Sequence, residues 1–293
     1  MTGTPLQERL LDCTDPALRR SSLERAASVV REGKVVVVPT DTVYGIGADA
    51  FDVVAVAMVL AAKHRGREMP PPVLVPEPRT VEGLAVDVPM YARILMRQFW
   101  PGPLTLVLRS QPSLQWDLGE TNGTVALRMP DDEVTLSLLT EVGPLAVTSA
   151  NVTGRPAATT AREAMGQLGG AVAAYLDDGP RTGGAPSTIL DCTGEEPVVL
   201  RVGALPPEEI RGALGATVPH DSPLPAETAA PADGTARTTQ ADVEAKQDVD
   251  GTGPDGGAPQ EPAAGLVGSV TPSGVSTPPA ALQVVRGGPS AQR

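Results

Sequence analysis

Lys34-Val-Val-Val-Val-Pro-Thr-Asp-Thr-Val-Tyr-Gly-Ile-Gly-Ala48 is the stretch from which the fold is best read. Val35–Val38 is a β-branched apolar run, short enough for a strand buried on both faces. Pro39 cannot continue a central ladder, so Thr40, Asp41 and Thr42 leave the sheet where that strand stops. Gly45 and Gly47 are expected to permit close backbone approach or positive φ, as a small-molecule pocket at a strand end requires. Upstream, Ser21-Ser22-Leu23-Glu24 opens an amphipathic helix with a capping serine, which Gly33 ends. Downstream, Asp52 caps a second helix that runs to Lys63 and delivers Lys63 and Arg65. A buried strand ending in hydroxyls and a carboxylate, followed by a helix that returns two cations, reads as a site.

Working outward, the pattern predicts strands at Val73–Val75, Leu104–Leu108, Thr124–Leu127, Leu145–Thr148, Ala173–Leu176, Thr188–Leu190 and Val198–Leu200. Helices are predicted at Met90–Phe99, Asp132–Thr140, Thr159–Leu168 and Pro206–Leu214, the last with proline in its first turn. Several strands follow one another with no helix between them. The fold class is therefore α/β, with a mixed, twisted β-sheet and flanking helices rather than a strictly alternating doubly wound one.

The chain has 293 residues, and its composition divides it. From Thr217 onward Pro, Ala, Gly, Thr and acidic residues dominate and aromatic residues are absent. Such a segment buries too little apolar surface to offset its conformational entropy. The expected organisation is an N-terminal extension over 1–20, a catalytic domain over 21–216 and a disordered tail over 217–293. The net charge of −12 argues against strong direct nucleic-acid binding, which needs clustered excess Lys and Arg. Cys13 and Cys192 lack metal-ligand spacing and read as reduced thiols. Neither a signal region nor a membrane-length apolar run is found, so a cytoplasmic location without membrane association is expected.

Lys63 and Arg65 are two apart, so they converge only where the helix has ended, and Pro70-Pro71-Pro72 then stiffens the exit. Two fixed cations suit a polyphosphate or a pair of carboxylates, although Lys and Arg near a helix C-terminus also simply complement its dipole. Ser149 and Asn151 follow the strand end at Val147, and Ser and Asn also frequent turns for local backbone reasons. Arg128 lies just past an apolar strand, where it suits a substrate carboxylate, and Val198–Leu200 likewise ends in Arg201. Gly183-Gly184-Ala185-Pro186-Ser187 is a glycine-rich loop without the spacing or the lysine of a P-loop. The repetition predicts a ligand site gathered along one rim of the sheet. There is no Gly-x-Ser-x-Gly elbow and no His/Cys cluster. Catalysis by positioning and electrostatics, on phosphate chemistry, is the reading that remains.

In this order, Pro-Thr-Asp-Thr-Val-Tyr-Gly at 39–45, Ala-Lys-His-Arg at 62–65, Trp-Pro-Gly-Pro-Leu-Thr at 100–105, Val-Ala-Leu-Arg-Met-Pro at 125–130, Ser-Ala-Asn at 149–151, Pro-Ser-Thr-Ile at 186–189 and Leu-Arg-Val-Gly at 200–203 resemble the YrdC-type threonylcarbamoyl-AMP synthase family. The resemblance covers residues 20–214, in the form with a single catalytic domain. It implies a YrdC-like fold and a nucleotidyl transfer in which L-threonine, bicarbonate and ATP, with Mg²⁺, give threonylcarbamoyl-AMP and pyrophosphate. The product would serve N6-threonylcarbamoyladenosine formation in tRNA, through hand-off to the tRNA threonylcarbamoyl transferase complex. Carried over by residue, Lys63 and Arg65 are the catalytic pair and hold the phosphates. Thr40, Arg128 and Ser187 bind L-threonine, with Arg128 on its carboxylate, and Thr124, Ser149, Asn151 and Arg201 bind the nucleotide. No residue is assigned to a metal. Relatives continue Lys-x-Arg with Asn- or Lys-Pro-Leu; here Glu68-Met69-Pro70-Pro71-Pro72 follows, and no contact is assigned to it. The alternative reading is a non-catalytic RNA-binding or ribosome-maturation module on the same fold.

Overall fold

A computed structural model describes residues 5–182 and 184–215; the tail expected at 217–293 lies outside the described residues. One mixed sheet carries the strands β1 (Leu10–Asp12), β2 (Val36–Val38), β3 (Gly45–Asp49), β4 (Val73–Leu74), β5 (Ala85–Val86), β6 (Leu104–Ser110), β7 (Thr124–Arg128), β8 (Leu145–Ser149), β9 (Ala174–Asp177), β10 (Thr188–Asp191) and β11 (Val198–Arg201). Their order is β1-β9-β2-β3-β8-β4-β7-β6-β10-β11, with β5 beside β6. The pairs β1–β9, β2–β9, β4–β7 and β6–β10 are parallel and the others antiparallel. This is the mixed sheet expected from the sequence.

The helices are α1 (Pro16–Arg31), α2 (Val53–Lys63), α3 (Val81–Leu84), α4 (Met90–Phe99), α5 (Glu133–Val142), α6 (Ala161–Leu168) and α7 (Pro207–Leu214). On one face of the sheet, Ala26, Ala27 and Val30 of α1 and Val134, Leu138 and Leu139 of α5 pack on Val36, Val38, Leu145 and Val147. The opposite face is covered along its length. There α2 and α6 meet Val37, Ile46, Ala48 and Tyr175, while α4 and α7 meet Leu104, Leu106, Leu108, Val125, Leu127 and Leu190. Successive strand residues point to opposite faces. Alternation therefore sends Thr105, Val107, Thr124, Ala126, Arg128 and Ile189 to the face that carries α1 and α5, in the part that those two helices do not reach. Val107, Ala126 and Ile189 are only half-buried, and this uncovered half-face is the floor of a cleft.

The structure corrects the sequence reading in two places. The stretch expected over 1–20 as an extension is, in its described part from residue 5, built into the domain, because β1 pairs with β9 and α1 starts at Pro16. Asp15 accepts from Ala17 N as the cap with proline behind it, while Ser22 lies inside the helix and donates to Asp12 O at 2.7 Å. A three-residue strand is too short for periodicity to reveal. Gly45 and Gly47 do not take up a positive φ, and the close approach expected of them is to the neighbouring strand β8. They belong to β3, and a Cβ on either would come within 2.5 Å of the Val147 methyls on β8. Glycine is required there so that Val147 can lie flat across the neighbouring strand.

Two predictions follow from this packing. Gly45→Ala is expected to lower unfolding free energy by about 1–3 kcal/mol through overpacking. Adding Val147→Ala should recover part of that loss in a urea-denaturation double-mutant cycle, whereas additive losses would show that the two residues do not touch energetically. Cys13 and Cys192 are buried, and burial pushes both thiols up to about 12 from the ordinary 9.0. A thiol reagent at pH 8 is expected to label neither in the native chain and both after unfolding. Above pH 9 the unfolded thiols ionise while the folded ones stay protonated, so their contribution to stability is full below that pH and falls as it rises.

Candidate active site

Lys63 is the last residue of α2, and His64 caps the helix in the left-handed conformation at φ 54°. That single left-handed residue turns the chain, so that Lys63 and Arg65 point at one stretch of β8 and its exit. Lys63 is 2% exposed, and its ammonium donates to Ser149 O, to Asn151 O at 2.8 Å and to Asn151 Oδ1 at 3.1 Å. Three acceptors match its three protons. Arg65 Nη1 donates to Thr148 Oγ1 at 3.0 Å. The Asn151 amide nitrogen closes the turn on Val152 O and Arg155 O. The two cations therefore converge beyond the helix, as their spacing predicted, and with the end of β8 and the Ser149–Asn151 turn they form one unit. Lys63 holds that turn in shape as well as charging it.

The connector from Pro39 to Tyr44 ties this unit to Arg128. At one end, Tyr44 O accepts from Ala150 N at 2.7 Å, between Ser149 and Asn151. Thr40 Oγ1 donates to Val43 O at 2.6 Å and lies 3.0 Å from Thr42 Oγ1. Thr42 Oγ1 accepts from Arg128 Nη1 at 3.2 Å, and Asp41 Oδ1 accepts from Arg128 Nη2 at 2.5 Å and from Asp131 N at 3.0 Å. The last Arg128 contact is Nε to Gly102 O at 3.0 Å, from the Trp100-Pro101-Gly102 turn. That turn thus aims an arginine. Burial pulls the Arg128 pKa below its ordinary value and Asp41 opposes the shift; a guanidinium stays protonated in either case.

Register puts Arg128 level with Thr105 on β6, and Thr105 with Ile189 on β10. Ser187, one step before β10, lies 2.9 Å from Thr105 Oγ1 through its Oγ. Arg201 donates to Ser187 O from Nε and Nη2, and to Ser187 Oγ at 3.1 Å. A Cβ on Gly203 would stand 2.2 Å from Pro186 O and 2.5 Å from the Ser187 carbonyl carbon, so this backbone approach tolerates only glycine.

The candidate residues do not share one rim, as the sequence reading expected. Leu145 is level with Leu74 and Leu74 with Arg128, so Ser149 is four rows further along the sheet. Thr124 sits at the same far end of β7, with Oγ1 on Thr121 O at 2.7 Å. Arg128, Ser187 and Arg201 thus gather at one end of the open half-face, and Thr124 and Ser149 mark the other, about 13 Å away at the rise of a strand. Alternating strand direction separates them, and the connector bridges them.

A charged cluster beside the connector carries no motif in the sequence. Arg181 Nη2 lies 2.9 Å from Asp132 Oδ2 and 3.0 Å from Asp178 Oδ2, and its guanidinium carbon is 5.6 Å from the centre of the Tyr44 ring. Tyr44 Oη donates to Gly179 O at 2.6 Å. Burial, then the Asp178 charge, raises the Asp132 carboxyl, while Thr135 N–H and Arg181 lower it. These contacts pin the chain that leads into Ser187. Among the described residues, no three His, Cys, Asp or Glu side chains gather as a metal site.

Gly203→Ala is expected to cost about 1–3 kcal/mol by overpacking. It should also speed hydrogen exchange at Ala204, whose N–H bonds Pro186 O at 2.8 Å. Unchanged protection there would show that the approach of the two chains is not tight.

Comparison with known proteins matches residues 28–203 to the Sua5/YciO/YrdC family, described as telomere recombination. A Mycobacterium tuberculosis (strain CDC 1551 / Oshkosh) protein is 54% identical over 204 residues, covering 70% of this chain and 94% of its own. A Bacillus subtilis (strain 168) protein named threonylcarbamoyl-AMP synthase is 38% identical over 208 residues, 70% of this chain and 60% of that one. The crystal structure of P. abyssi Sua5 complexed with L-threonine aligns at TM-score 0.68 with 36% identity, covering 72% of this chain and 62% of that one.

Proposed function

Because the chain belongs to the Sua5/YciO/YrdC family, we infer that it is a threonylcarbamoyl-AMP synthase, an enzyme that joins L-threonine, bicarbonate and ATP into threonylcarbamoyl-AMP and releases pyrophosphate. One observation carries this reading beyond family membership. The Lys63 and Arg65 cations are tied to the end of β8 and the turn after it, Arg128 is tied to the Asp41–Thr42 connector, and Ser149 lies four rows, about 13 Å of strand rise, from the level of Arg128. An amino acid alone does not fill that span; an amino acid joined to a nucleotide does.

In this reading Arg128 receives the threonine carboxylate, and Thr40 and Ser187 line the same end. Ser149, Asn151 and Thr124 take the nucleotide at the other end, with Arg65 on its phosphates and the Lys63 charge behind the turn. Arg201 acts through Ser187, which it bonds three times. The threonine amine takes up bicarbonate as a carbamate, with loss of water. A carbamate oxygen then attacks the α-phosphorus, and the bond to the leaving pyrophosphate breaks. Both partners are anions, so fixed cations and exclusion of water lower the barrier, and no side-chain nucleophile is needed. We assign Mg²⁺ to the ATP phosphates as part of the substrate. The adenylate is consumed by the tRNA threonylcarbamoyl transferase complex in the cytoplasm. No described helix is long and apolar enough to cross a membrane.

Pyrophosphate release by the purified chain is expected to require both L-threonine and bicarbonate; release from ATP alone at the same rate would sink the reading. Arg65→Ala should lower kcat/KM by at least about 100-fold, the scale of removing a charge-stabilising donor, without changing the thermal midpoint. Lys63→Ala should abolish turnover and also lower stability, by about 1–3 kcal/mol, because it strips acceptors buried in the Ser149–Asn151 turn. Retention of near-normal turnover by either variant would show that the phosphates bind elsewhere.

A further inference from the structure

We propose that Asp41 is a positioning residue of the reaction, fixing the Arg128 guanidinium so that one N–H on each terminal nitrogen is offered to the substrate α-carboxylate. The proposal rests on the synthase reading above and assigns a role to a residue which the sequence left without one.

A guanidinium has five N–H groups. The structure ties one on Nε to Gly102 O, one on Nη1 to Thr42 Oγ1 and one on Nη2 to Asp41 Oδ1. Two remain, one on each terminal nitrogen, the number that a carboxylate takes in a bidentate pair. Without Asp41, Nη2 would lose its one hydrogen-bond partner among the described residues while Nε and Nη1 kept theirs, and the guanidinium would be free to tilt about that edge. Asp41 is itself held, because the same Oδ1 accepts from Asp131 N at 3.0 Å. The pair is nearly sealed, with the Arg128 side chain 7% and the Asp41 side chain 14% exposed.

A purely structural ion pair would explain the burial. It would not require the arginine to project from the uncovered face of β7, level with Thr105 and beside Ser187. The apposed carboxylate also cancels the arginine's charge, so the substrate anion is recognised by directed N–H groups rather than by net positive potential. Discrimination then depends on geometry, which Asp41 sets.

The test is calorimetric titration of the full chain with L-threonine and, separately, with ATP, for wild type, Asp41→Ala and Asp41→Asn. Loss of a hydrogen bond between charged groups corresponds to about 10-fold to 100-fold in affinity. Asp41→Ala is expected to weaken L-threonine by that factor while the ATP affinity stays within about twofold, the residual change allowed for a site that remains folded. Asp41→Asn keeps an acceptor and the side-chain shape, so it should fall between; it also serves if the alanine variant does not fold. In an Arg128→Ala background, Asp41→Asn should have no further effect on L-threonine. Unchanged or tighter L-threonine binding in the Asp41 variants would overturn the proposal. So would equal losses for both ligands, or a further loss in the Arg128→Ala background. Failure of the wild-type chain to bind L-threonine would instead bring down the synthase reading, and this proposal with it.

Discussion

A buried cation needs fixed acceptors, and that requirement organises this molecule around Lys63 and Arg128. Taking an ammonium or a guanidinium out of water is costly unless every proton is received. Lys63 satisfies the requirement with backbone and side-chain oxygens of the Ser149–Asn151 turn. Arg128 places three of its five N–H groups on a carboxylate, a hydroxyl and a carbonyl drawn from two separate segments, and the other two are the pair offered to the substrate. In both cases the acceptors sit in the chain that builds the cleft, so the demands of burial and the geometry of the site coincide.

The sheet makes room for this by being unequally covered. One face is packed along its whole length, by α2 and α6 and then by α4 and α7. On the other face α1 and α5 stop short, leaving β7, β6 and β10 exposed to the cleft. The same strands that send Leu104, Leu106, Val125 and Leu127 into the core must send Thr105, Ala126, Thr124 and Arg128 outward. Core and site are therefore two faces of one alternation, and a one-residue slip of β7 would exchange them.

The connector from Pro39 to Tyr44 is the hinge point between the two ends. Its proline stops β2, its Thr42 hydroxyl and Asp41 reach Arg128, and its last carbonyl holds the turn that Lys63 fills. The Arg181 cluster with Asp132 and Asp178 braces it through the Tyr44 ring. A polar residue in such a network matters through what it aims. Asp41, Thr42, Thr105 and Arg201 each act on a neighbour that faces the cleft.

The local features were legible because they follow from side-chain chemistry over a few residues. The Val-rich strand, the proline that ends it, the Asp52 cap and the cations beyond α2 needed no knowledge of the rest of the chain. The ordered motifs from residue 39 to residue 203 were likewise enough to identify the family. Residues separated by long stretches of chain meet only in the folded protein: Asp41 with Arg128, Lys63 with Asn151, Thr105 with Ser187, Arg181 with Asp132. Neither the role of Gly45 and Gly47 beneath Val147 nor the place of Leu10–Asp12 in the sheet has a local signature. By itself the sequence determined the elements, the fold class and the kinds of chemical group that the site contains. Tertiary structure alone decided which groups share an end of the cleft, because strand direction and register are set by pairing between distant segments, and proximity follows from them.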